Sequence, residues 1–243
     1  MTVRVVSLGD STSCGEGVGV RVPADRTWPS LLARGVPDAE LTCLAVAGAR
    51  LRELRAGQLA PAVAAAPHLA TLLVGLNDIA RGGFCGRSFA RDLAVVVQAL
   101  RGVGATVLLG RLHDPCRLLP LPAPVRGAVL RRVAEVNGAV DRLAVLPGVH
   151  VLDLAAVPGV QERRSWDVDR LHPAAELHGR IARTAAEVLQ RAGLGLELPP
   201  VPPLPAGGPS VVREALWAAR HGAPWLVGHL RGVTATALEL ART

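Results

Sequence analysis

Ser11, His172 and a carboxylate close to it are the residues of this sequence whose types and spacing could do covalent chemistry. A serine hydroxyl is a poor nucleophile until an imidazole removes its proton, and the imidazole needs a carboxylate to orient it. Asp169 lies three residues before His172, so one compact turn can bring its carboxylate to the ring; Asp167, two residues earlier on the same segment, competes for that role. Pro173 suits the first position of a helix and holds His172 itself out of the helical conformation. Acyl chemistry at a serine also needs donors aimed at the oxyanion of the tetrahedral intermediate. The backbone N–H groups of Ser11 and Gly48 and the side-chain amide of Asn77 can supply three. The neighbouring Asp10 and Asp78 suit loop bracing, by accepting backbone N–H bonds, better than proton transfer.

These residues meet only if the elements that precede them end at one rim. Val3–Leu8, Glu40–Ala45, Leu69–Gly75, Ala105–Gly110 and Val149–Leu154 are short, nearly continuous apolar runs, the pattern of parallel strands covered on both faces. Between them, Val125, Val129, Val133, Val136, Val140 and Leu143 recur at helical spacing, as do Leu177, Ile181, Ala185, Val188 and Leu189. Arg87–Arg101 and Arg50–Ala66 are further helix candidates. Alternating strands and helices predict an α/β doubly wound domain with right-handed crossovers. Ligands of such a sheet bind beyond the carboxyl ends of its strands, and the polar blocks follow the first, second, third and fifth predicted strands.

Gly9-Asp10-Ser11, Gly48, Gly75-Leu76-Asn77-Asp78 and Asp169-Arg170-Leu171-His172-Pro173, in this order and spacing, make the chain resemble the GDSL/SGNH hydrolase family over about residues 3–192. The resemblance implies a three-layer α/β/α sandwich on a five-stranded parallel, flavodoxin-like sheet. It also implies hydrolysis of an ester or thioester of a small molecule, lipid or acylated sugar through an acyl-enzyme, with no metal or organic cofactor. Ser11 would be the nucleophile, His172 the base and Asp169 its partner, with Ser11, Gly48 and Asn77 forming the oxyanion hole. Two places depart from the family pattern: Thr12-Ser13-Cys14 stands between Ser11 and Gly15, and Cys43 lies upstream of Gly48 where an Asn is frequent. Capture of the same acyl-enzyme by an alcohol or amine would make the protein an acyltransferase. A non-catalytic binding or scaffold protein on the same fold is the reading from a different class.

Composition bounds the remaining possibilities. A chain of 243 residues, 50% hydrophobic and 19% charged, can build a sizeable core and is not disordered as a whole. It has no apolar run of the roughly 18 residues that a membrane span needs, so a soluble globular protein is expected. The formal charge of +7 would suit nucleic acid, but all 27 basic residues are Arg, scattered from Arg4 to Arg242, with only two Phe, four Trp and no Tyr for stacking; no nucleic-acid partner is expected. Gly15, Gly17 and Gly19 are spaced GxGxG, not as the dinucleotide fingerprint, and predict a flexible substrate-side loop. Cys14, Cys43, Cys85 and Cys116 form no CxxC pair and read as buried free thiols. His68, His113, His150, His178, His221 and His229 have no metal-ligand spacing. Val3–Leu8 is too short for the apolar core of a secretory signal, and the expected compartment is the cytoplasm.

The pocket is expected to be lined by Gly15–Trp28, Phe84–Ser88 and Arg111–Pro124, with Arg81, Arg111 and Arg117 at its rim, either meeting an anionic substrate or solvated. Residues 1–192 read as the catalytic domain. Residues 193–209, with Pro199-Pro200 and Pro202-Pro203, read as a proline-rich linker, and 210–243 as a helical extension. In that extension Ser210 can cap a helix from Val211, and Trp217, Trp225, Leu226, Leu230 and Leu238 suit a strap on the domain, a homodimer contact or a lipid-facing helix.

Overall fold

The computed structural model describes residues 2–222 apart from Val18 and Pro120; Trp225, Leu226, Leu230 and Leu238 lie outside them. In chain order the regular elements are β1 (Val3–Gly9), α1 (Ser11–Cys14), β2 (Glu16–Gly17), β3 (Val20–Arg21), α2 (Trp28–Arg34), β4 (Ala39–Cys43), α3 (Leu51–Gly57), α4 (Leu59–Ala64), β5 (Leu69–Leu73), α5 (Leu76–Ala80), α6 (Gly86–Gly102), β6 (Thr106–Arg111), α7 (Ala123–Leu143), β7 (Val149–Asp153), α8 (Ala175–Arg191) and α9 (Val211–Trp217).

The main sheet has the order β4-β1-β5-β6-β7, and every pair in it is parallel. α2 and α8 pack together on one face, and α3, α4, α6 and α7 on the other. This is the predicted three-layer, flavodoxin-like arrangement. Its three central strands are almost wholly buried, which is why their sequences are apolar without alternation. β4 is an edge strand and largely exposed, so Cys43 at its end is exposed rather than buried. Cys85 is exposed too and Cys14 half-buried, leaving only Cys116 of the four free thiols in the core. The expectation of four buried thiols fails because three of them sit at element ends facing the rim or solvent.

The segment Arg50–Ala66 forms two helices, not one. The break falls at Gln58, whose side chain is drawn into the sheet, donating to the Gly9 carbonyl and accepting from the Gly9 N–H, both at 2.9 Å. Pro61 then sits in the first turn of α4, where its missing N–H costs little. Residues 193–209 have no regular secondary structure but lie along the domain. Arg183 and Arg180 of α8 donate to the carbonyls of Pro199 (3.2 Å) and Pro202 (3.0 Å), and Arg164 to that of Pro205 (3.2 Å). Ser210 caps α9, its Oγ accepting from the Arg213 N–H at 3.2 Å. Among the described residues no helix is long and apolar enough to cross a membrane.

Candidate active site

Strand order reverses between β1 and β5, so the loops after these two strands diverge and leave a crevice at the carboxyl edge. Ser11 follows β1 and Asn77 follows β5, which puts both at the crevice. Gly9 ends β1 at φ +150°, and a side chain there would bring a Cβ to 2.3 Å from the Leu73 carbonyl. Only glycine lets the chain pass so close to β5 before turning into α1. Asp10 caps α1, one carboxylate oxygen accepting from the Thr12 N–H (3.0 Å) and the other from Asn77 Nδ2 (3.2 Å). Asp10 is buried, which pushes its carboxyl above the usual range, against the lowering effect of those two bonds. Ser11 is the first residue of α1, so its N–H has no partner within the helix.

On the opposite wall, residues 165–174 close on themselves as a tight loop. Asp167 N–H donates to the His172 carbonyl (2.9 Å), Ala174 N–H to the Ser165 carbonyl (3.0 Å), and Trp166 bridges to Pro173. Asp169, almost fully buried, accepts the Leu171 and His172 N–H groups on Oδ1 at 3.0 Å each and faces His172 Nδ1 with Oδ2. Burial works against its charge, but the His172 ring and those two N–H groups outweigh it and hold the carboxyl below its usual value. Asp167 instead accepts its neighbour's Val168 N–H (2.7 Å), so the choice between the two carboxylates is made by the loop. With Nδ1 turned to Asp169, His172 has Nε2 left for the crevice.

Ser11, Asn77 and His172 line one cavity of about 240 Å³. The rest of its wall is apolar: Leu76, Ile79 and Ala80 of α5, Pro115, Leu119 and Leu121 of the loop after β6, Val125 and Val129 of α7, and Leu171. Of the expected lining, the Arg111–Pro124 segment contributes, whereas Phe84–Ser88 does not. The glycine-rich segment forms a small antiparallel hairpin, β2–β3, with Gly17 against the His172 ring. No direct hydrogen bond joins Ser11 to His172 among the described residues. Gly48, at φ +75°, is not in the lining of this cavity; it lines a separate depression with Val46, Ala47 and Gln58, and the Arg81 guanidinium lies against it. Arg111 is engaged by Asp141 and Asp153, both at 3.2 Å, and Arg117 approaches Asp114 at 3.8 Å.

Residues 7–180 match the model of the GDSL-like Lipase/Acylhydrolase family. The chain belongs to this family. The family's name describes lipases and acylhydrolases, so this chain is a carboxylic ester hydrolase by descent. Among solved structures it is similar to TesA, with 22% identity and a TM-score of 0.62 over 77% of this chain and 98% of that one. A lipolytic G-D-S-L family protein from Veillonella parvula gives 19% identity and a TM-score of 0.62, covering 78% of this chain and all of that chain (100%). The esterase EstA from Pseudoalteromonas sp. gives 16% identity and a TM-score of 0.61, covering 78% and 97%. These likenesses establish the GDSL-hydrolase fold. No curated protein matches the chain by sequence.

Two residues that shape the site, Gln58 and Asn137, have no signal in the sequence, and a third, Asp78, braces the backbone as its residue type suggests. Gln58 holds the end of β1. Asp78 accepts the Leu51 N–H on both oxygens (3.2 and 3.1 Å), tying α5 to α3. Asn137 of α7 bonds both the N–H and the carbonyl of Leu112 (2.8 and 3.0 Å), fixing the start of the loop that walls the cavity. Each acts on a partner at least 25 positions away, and nothing local marks that partner.

Proposed function

We propose that this GDSL-family hydrolase cleaves carboxylic esters with Ser11 as nucleophile, His172 as general base and then acid, and Asp169 as the group that orients and stabilises the imidazolium. The observation that carries this reading is the wall shared by Ser11 and His172, with Asp169 behind the imidazole at Nδ1. Ser11 Oγ attacks the acyl carbonyl while His172 Nε2 takes its proton. The tetrahedral oxyanion is met by the Ser11 N–H, by the Asn77 Nδ2 hydrogen not engaged by Asp10, and by the Gly48 N–H. Collapse expels the alcohol, protonated by His172, and leaves an acyl-serine. Water, deprotonated by the same imidazole, then releases the acid and restores Ser11. In triads of this kind the bond from nucleophile to base commonly tightens only in the substrate complex.

The apolar wall supports an aliphatic acyl group as the part of the substrate that enters the cavity. Transfer of each methylene from water is worth about 0.8 kcal/mol, so kcat/KM is expected to rise from p-nitrophenyl acetate through butyrate to octanoate. Ser11→Ala should remove turnover of all three, by about three orders of magnitude or more. Equal loss-free turnover in Ser11→Ala would overturn the assignment of the nucleophile. A preference for acetate would overturn the acyl cavity.

A further inference from the structure

The loop that carries Asp169 and His172 is gripped from outside by α9, and we propose that Glu214 of α9 is a positioning residue for it. This inference rests on the triad proposed above. Arg163 donates through Nε to Glu214 Oε1 at 3.0 Å and through Nη2 to the same oxygen. Arg170 donates through Nη2 to Oε2 at 3.1 Å. One carboxylate thus bridges two arginines that flank Asp169 in sequence.

Neither arginine is a simple surface counter-ion. Arg163 Nη1 also donates to the carbonyls of Trp166 and Asp167, both at 2.8 Å, and Nη2 to that of Val168 at 3.4 Å. A single guanidinium therefore ties down the three carbonyls immediately before Asp169. Arg170, immediately after Asp169, sits at φ +60°, a left-handed conformation that a residue with a Cβ keeps only where its surroundings impose it. The bond to Glu214 is what its side chain gains there. Both arginines hold the Glu214 carboxyl below its usual range, the Arg163 hydrogen bond most strongly.

The same C-terminal stretch touches the other structure that flanks His172. The His221 ring packs against Gly19 of the β2–β3 hairpin, and Gly17 of that hairpin abuts the His172 ring. Arg213 approaches Asp167 at 3.8 Å. Glu214 itself lies beyond the residues 7–180 that match the family. Loss of its charge would leave two cations without their shared partner beside a loop whose geometry sets the reach of His172. A displacement of about 1 Å in such a group is enough to cost about a hundredfold in rate.

The test compares the full-length wild type, Glu214→Gln, Glu214→Asp and Ser11→Ala, using p-nitrophenyl butyrate kinetics and amide hydrogen exchange by mass spectrometry. Glu214→Gln is expected to lower kcat by about tenfold or more with KM little changed, and Glu214→Asp, which keeps the carboxylate, to recover part of the loss. Exchange should accelerate in peptides covering residues 163–173, where Leu171 and His172 N–H groups bond Asp169, and stay at the wild-type rate in the peptides of β5 and β6. An unchanged kcat together with unchanged exchange at 163–173 would overturn the proposal. So would exchange that rises throughout the domain in step with a fall in Tm, since Glu214 would then be a global stabiliser. If the wild type shows no Ser11-dependent turnover, the triad is overturned separately, and the exchange at 163–173 still decides whether Glu214 holds the loop.

Discussion

Asn77 shows how much depends on one side chain at this site. Its Nδ2 gives one hydrogen to buried Asp10; in the oxyanion hole proposed above the other hydrogen meets the substrate, and Asp10 is the brace that aims it. Asn77→Ala removes both the aimed donor and a partner of a buried carboxyl. A single oxyanion donor is typically worth about 10²–10³ in kcat. Steady-state kinetics on p-nitrophenyl butyrate are therefore expected to show kcat lower by that factor in Asn77→Ala, with a smaller change in KM. A loss of less than about threefold would remove Asn77 from the oxyanion hole. At this scale much was legible, because Ser11, Asn77, Asp169 and His172 each sit in a short block with its own chemistry. Glu214, Gln58 and Arg163 were not, since a single Glu, Gln or Arg acquires its role only from partners that folding brings to it.

Among the elements, the β2–β3 hairpin has the most direct bearing on the chemistry. The glycine spacing reads as a flexible loop, because two strands of two residues each carry no alternating pattern. In the structure the hairpin leans on His172: a Cβ at Gly17 would lie 2.5 Å from both Cε1 and Nδ1 of the ring. Gly17 does not have a positive φ, so Gly17→Ala is open to the backbone and its cost falls on the imidazole and on Val20, whose Cγ2 would lie at 2.6 Å. The expected outcome is a kcat reduced by about tenfold to a hundredfold, with a Tm close to that of the wild type by differential scanning calorimetry. A normal kcat would mean that the hairpin yields to the methyl group and does not set the position of the ring. The helices were read with varying success for physical reasons. α6, α7 and α8 bury one long apolar face and so repeat at helical spacing, whereas α3 and α4 are interrupted where Gln58 turns inward to bond Gly9.

For the molecule as a whole, two buried histidines link folding to pH. His113 packs on Trp166 with ring centroids 4.9 Å apart, and among the described residues neither of its nitrogens has a hydrogen-bond partner; burial pushes its pKa down to about 4. His178 accepts the Trp28 N–H on Nδ1 at 3.1 Å, and burial pushes it down to about 3. In the unfolded chain each takes a proton near 6.5, so below that pH the unfolded state binds more protons and stability falls until the folded values are reached. Tm is thus expected to decline from pH 7 towards pH 4. His113→Phe keeps the packed ring and removes two unpartnered nitrogens, so it should raise Tm more at pH 5 than at pH 8. Parallel Tm curves for variant and wild type would refute that linkage. The amino-acid sequence by itself determined the α/β class, the five sheet strands and the blocks that hold Ser11, Asn77, Asp169 and His172, because apolar periodicity and short-range spacing are local properties. Tertiary structure alone decided which carboxylate faces His172, which apolar side chains wall the cavity, and that Glu214 grips the loop from 44 and 51 positions away. Those outcomes depend on which surfaces the strand order brings into contact, and contact between distant segments is set by the packing of the whole chain.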